Sequence, residues 1–140
     1  MYIDSQETFA EAQSVAAAAG DVVSTNVYDT GAAADVGIGE PMFVYAKMNA
    51  ALVGVGASIQ AVLQTSDAAG SGYTDAAAGP VTAVASATAN KRIAAFALPI
   101  GLKRYLRVVF RISGATTTAG TASAYLVKDV DAQQYLASAV

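Results

Sequence analysis

The 140-residue chain contains no cysteine, no histidine and no tryptophan. Without cysteine there can be no disulfide framework, no thiolate nucleophile and no structural zinc site of the usual kind, and redox compartment leaves no trace in the sequence. Without histidine, the side chain that titrates nearest neutral pH and ligates metals most often is missing. A serine nucleophile would therefore have no imidazole base. The lysines cannot substitute, because they lie in a cationic stretch and not in an apolar pocket that would lower their pKa. Asp67 and Asp75 stand eight apart in a small-residue loop, and nothing in the sequence makes them converge as a glycosidase pair would. Nor do they, or Asp129 and Asp131, show EF-hand spacing with its closing glutamate. Gly37-x-Gly39, Gly54-x-Gly56 and Gly70-x-Gly72 lack the third glycine or Lys-Ser/Thr of a phosphate loop and read as turns. The expectation is a protein that is not an enzyme and takes no cofactor or metal.

Long apolar runs are missing too. No stretch approaches the roughly 20 apolar residues of a membrane-spanning helix. The opening MYIDSQETF has no basic segment leading into an apolar one, as a secretory signal would. These readings predict a soluble protein, made in the cytoplasm, with no membrane partner.

What is present is alanine and short β-patterned segments. The 54% hydrophobic content overstates the core, since much of it is alanine. A buried methylene-sized group contributes only about 0.8 kcal/mol. Larger apolar side chains cluster at 42–48, 59–63, 93–100 and 105–112. One domain with a thin core is expected, relying on association for part of its stability. Residues 1–20 read as an N-terminal arm ordered against a neighbour, and residues 21–140 as the domain.

From residue 22 onward the pattern is β. Strands are expected over 22–30, 42–48, 58–64, 81–88, 93–98, 105–112 and 121–128, separated by glycine, proline and asparagine turns. In 42–48, Met42, Val44, Ala46 and Met48 alternate with Phe43, Tyr45 and Lys47; in 58–64, Ile59, Ala61 and Leu63 face inward and Ser58, Gln60 and Gln64 outward. The stretch 67–79 (DAAGSGYTDAAAG) reads as a flexible surface loop presenting Tyr73. Seven or eight short strands without a convincing helix predict an all-β fold, an antiparallel sandwich or barrel.

Charge is unevenly distributed. Residues 1–40 carry seven acids and no base, whereas 41–128 carry all eight bases against Asp67 and Asp75. Six of the bases (Lys91, Arg92, Lys103, Arg104, Arg107, Arg111) fall within KRIAAFALPIGLKRYLRVVFRI, residues 91–112, with no acid between them. On a strand, Leu106, Val108, Phe110 and Ile112 would face the core while Tyr105, Arg107, Val109 and Arg111 face outward. An acidic protein with a one-signed row suggests docking to an acidic surface, on another protein or on its own acidic N-terminal region. Nucleic acid is disfavoured, since only Tyr105 interleaves the cations and the net charge is −3. The candidate interface residues are Lys91, Arg92, Arg104, Arg107 and Arg111, with Tyr73.

The strings IGEPMFVYAKM (38–48), ASIQAVLQTSD (57–67), ALPIGLKRYLRVVFRI (97–112) and TASAYLVKDVDA (121–132), with YIDSQ and STNVYDTGAAADVGIGE (24–40) before them, resemble the capsid cement, or decoration, proteins of short-tailed bacteriophages. The likeness implies a jelly-roll-like β-sandwich on the outer surface of the virion, bound to the major capsid protein once the shell has expanded. It also implies a homo-oligomer, expected to be a dimer. The alternative from another functional class is a tail or fibre β-sandwich that binds host-surface carbohydrate through Tyr73 and Tyr105.

Overall fold

The computed structural model describes residues 8–29, 43–99 and 102–127, and these form strands joined by turns with no helix among them. In chain order the strands are β1 (Thr8–Ser14), β2 (Gly20–Val23), β3 (Tyr28–Asp29), β4 (Phe43–Val53), β5 (Ser58–Ser66), β6 (Thr74–Ala78), β7 (Thr82–Ala83), β8 (Arg92–Ala97), β9 (Tyr105–Ser113) and β10 (Ala119–Val127). One sheet has the order β1-β10-β4-β8. The other has β2-β9-β5-β6, with β3 joined to β9 and β7 to β5. Every pairing is antiparallel.

The pairs are nested. β1 pairs with β10, β2 with β9, β4 with β8 and β5 with β6, so each pair encloses the next along the chain. A long hairpin rolled into two facing sheets has this connectivity, which is that of a jelly roll.

Side-chain alternation builds the layer between the sheets. Val44, Ala46 and Met48 of β4 and Ala122, Ala124 and Leu126 of β10 face Ile59, Ala61 and Leu63 of β5 and Leu106, Val108, Phe110 and Ile112 of β9, all in one buried cluster. Each of these runs places its apolar residues at every second position, as half-buried strands require. The abundant alanine brings backbones close. At Gly79 a β-carbon would lie 2.6 Å from Cβ of Ala94, so only glycine fits that crossing.

Three segments differ from expectation. Residues 8–20 are not an arm: β1 is a sheet strand, and Phe9, Ala10 and Val15 are buried. Its pairing with β10 is interrupted by register shifts, and Ala12 adopts φ 48 with its N–H donated to Ser123 Oγ at 2.9 Å. Those irregularities erase the two-residue period that would have marked a strand. Residues 1–7 of the expected arm lie outside the described residues. The segment 67–79 is not all loop either, since β6 pairs with β5. Conversely, of 81–88 only Thr82 and Ala83 pair as strand. There the N–H groups of Ser86 and Ala87 turn back to the Ala83 carbonyl, and Ala87 enters the core. The expected 22–30 strand is divided into β2 and β3 by a turn at Ser24, whose hydroxyl accepts from Val108 N–H and donates to the Asn26 carbonyl.

Turn chemistry accounts for Gly56 and Gly72, both at positive φ, as the glycine spacing suggested. Gly37 and Gly39 lie outside the described residues.

Candidate interaction face

The alternation of β9 is as the sequence predicts. Leu106, Val108, Phe110 and Ile112 are buried between the sheets, and Tyr105, Arg107 and Arg111 are half-buried on the opposite face. Val109 shares that outer face with Val62, its partner on β5, and both are fully buried beneath their neighbours. Long arginine stems cover such apolar positions while their charged ends stay in water.

This outer face is not a bare cationic row. Arg111 lies between two carboxylates from strands on either side of it. Its Nε contacts Asp21 Oδ1 at 2.7 Å from β2, and its Nη1 contacts Asp75 Oδ2 at 3.1 Å from β6. Arg104 forms a two-point pair with Asp29 of β3, at 2.8 and 3.1 Å, and its guanidinium lies over the Tyr105 ring. Lys103 stands 3.6 Å from Asp67. The acids lie 36 to 90 residues from the arginines that they pair with, so the rolled sheets bring them together while the linear spacing conceals it. Asp21 and Asp29 belong to the acidic N-terminal region, and that region thus pairs with the basic part of its own chain.

Gln64 links the charges. It is buried on β5, directly opposite Arg107. Its Nε2 donates to Asp75 Oδ1 at 2.8 Å, and its Oε1 accepts from Arg107 Nε at 2.9 Å. Arg107 then stacks 3.9 Å above the Tyr73 ring, whose hydroxyl donates to the Ala69 carbonyl at 2.7 Å. Hydrogen bonds from Arg111 and then Gln64 hold the Asp75 carboxyl below the usual carboxylate range. The two carboxylates hold Arg111 more firmly protonated than an isolated guanidinium. Burial, partly offset by the nearby Arg107 charge, pushes the Tyr73 phenol up.

A protein-family comparison matches the model of the Bbp16 family over residues 9–126, which spans the sandwich from β1 into β10. The chain belongs to the Bbp16 family. It is a family of phage-related proteins. No curated protein matches the chain.

The Bbp16 match includes every residue of the Asp21–Arg111–Asp75–Gln64–Arg107–Tyr73 network. It also includes Lys91 and Arg92, which the sandwich separates from that network. Arg92 opens β8 at the edge of the other sheet, in register with Lys47, and Lys91 precedes it in a turn. The six candidate interface residues therefore divide into two sites. Arg104, Arg107, Arg111 and Tyr73 share one outer face, and Lys91 and Arg92 belong to the opposite sheet. Sequence reasoning missed Gln64 as the connector, although its outward position on β5 was a usable signal. Asp67 and Asp75 are engaged by different cations, Lys103 and Arg111, and do not converge on one point.

Proposed function

We propose that this Bbp16-family protein is a non-enzymatic component of a phage particle, which binds the outside of the expanded capsid and cements neighbouring major capsid proteins. The observation that carries the reading is family membership across the whole sandwich. Two further features support it. The sequence strings resemble capsid cement proteins, and jelly rolls recur in viral capsid domains, although a fold alone does not fix a function.

In this reading no bond is made or broken, and the protein needs neither cofactor nor nucleic acid. A ligand that binds only the expanded shell stabilises that shell by mass action, and many weak contacts repeated over a lattice add through their number. A dimer would bring two such contacts to adjacent shell subunits. Carbohydrate recognition would require Tyr73 and Tyr105 as stacking platforms, and each already carries a guanidinium on its ring.

The test is the copy number of this chain per purified particle, measured by quantitative mass spectrometry against the major shell protein. A simple ratio to that protein, with hundreds of copies, is expected. A few copies in a multiple of three or six would place the protein in the tail and overturn the cementing role, as would its absence from the particle.

A further inference from the structure

We propose that Arg107, seated on the ring of Tyr73, is the anchor for a carboxylate of the shell protein, with Tyr105 beside it as part of the same contact surface. The proposal rests on the cementing role and names the surface that performs it. Among the cations of the face, Arg107 has a distinct position. Lys103, Arg104 and Arg111 each have a carboxylate within 4 Å, whereas among the described residues Arg107 has none. Its Nε is satisfied by a neutral acceptor, Gln64 Oε1, and its two Nη nitrogens have no acceptor among the described residues. Gln64 thus orients the guanidinium without neutralising it.

The side chain is also held in place before any partner arrives. Tyr73 supports the guanidinium plane, and the Tyr73 hydroxyl is tied to the Ala69 carbonyl. Asp75 fixes the amide of Gln64 from behind. Holding an arginine in one rotamer removes an entropy cost that a free side chain would meet on binding. A planar fork of two donors matches a carboxylate in two-point geometry. Tyrosine and arginine are also the side chains enriched where protein interfaces concentrate their energy.

Of the five acids among the described residues, Asp21, Asp29, Asp67 and Asp75 are already paired. Only Glu11 remains, on β1 of the other sheet. In the cementing role the matching acid is supplied by the shell protein.

The experiment is co-sedimentation of the full chain with expanded shells that lack it, at low and raised sodium chloride. Wild type, Arg107→Gln, Arg107→Glu, Tyr73→Ala and Glu11→Gln are compared, with the melting temperature of each variant as a check on folding. Wild type should bind and weaken with salt. Arg107→Gln should bind about tenfold more weakly with reduced salt sensitivity, as expected when one partner of an interfacial charge pair is removed. Tyr73→Ala should weaken binding less, and Glu11→Gln should leave it unchanged. A folded Arg107→Gln that binds as wild type does would overturn the anchor and leave the cementing role standing. Arg107→Glu breaking a dimer of the free protein would reassign the patch to self-association. Failure of wild type itself to bind the shells would refute the cementing role and the anchor together.

Discussion

On the outside of the β2-β9-β5-β6 sheet, charged side chains from three strands interlock, whereas on the outside of the β1-β10-β4-β8 sheet Tyr45, Tyr125 and Val127 are buried together with Phe43 at their margin. Tyr45 and Tyr125 stand directly opposite each other on β4 and β10. Burial dominates the environment of Tyr45 and pushes its phenol up, despite the nearby Arg92 charge. The contrast separates two ways of finishing a sheet. Burial of aromatic surface is strong, non-directional and indifferent to salt. Ion pairs near the surface contribute little each, yet they are directional and fix which strand lies beside which. The charged face thus gives register to the edge strands β2 and β6, and the aromatic face gives stability to the central pair of the other sheet.

Substitutions on the two faces should separate these contributions. Tyr45→Ala should have the largest effect, about 3 kcal/mol lost in urea unfolding, because a large buried ring is replaced by a cavity. That loss should be the same at low and high salt. A marked salt dependence would mean that charge contributes to the aromatic face as well. Arg111→Met should cost about 1 kcal/mol at low ionic strength and less as salt is added, because its guanidinium is about a third exposed, at 34%. If Arg111→Met equals Tyr45→Ala, the division of labour fails.

Acid should act on the charged face first. Because the folded-state pKa of Asp75 is depressed, its contribution is fully present above the unfolded value, near about 4, and is lost as pH falls through the folded value. Asp75→Asn should flatten the stability profile in that window, whereas Tyr45→Ala should leave its slope intact. The smallest effect is expected for Arg104→Gln, which removes an exposed pair with Asp29 and should shift the melting temperature less than Arg111→Met does. A larger shift would mean that β3, only two residues long, is held chiefly by that pair.

The legible parts of the fold were those with clean alternation. β4, β5 and β9 carry large apolar residues at every second position, and their inward and outward faces follow directly. β1 and β6 were not legible. One is broken by register shifts between Thr8 and Ala10 and between Ala10 and Gln13, and the other is alanine over three of its five residues, which gives periodicity nothing to act on. The candidate face was legible by half. A row of cations on one strand is a local pattern, but the neutralising Asp21, Asp29 and Asp75 arrive through strand pairings distant in sequence. Local charge counting therefore sees the arginines and misses their partners. Among the described cations of that face, Arg107 alone has no carboxylate within 4 Å, and no local pattern in the sequence marks it out.

The nested strand order also sets a timetable for synthesis. β10 lies between β1 and β4, so the first sheet lacks an interior member until residues 119–127 have left the ribosome. Until then β1 has no pairing partner among the described strands, and Phe9 lacks the sheet that buries it. Folding dominated by such distant contacts is slow. A nascent chain stalled near residue 118 is thus not a shortened sandwich but half of one, with unsatisfied strand edges open to aggregation.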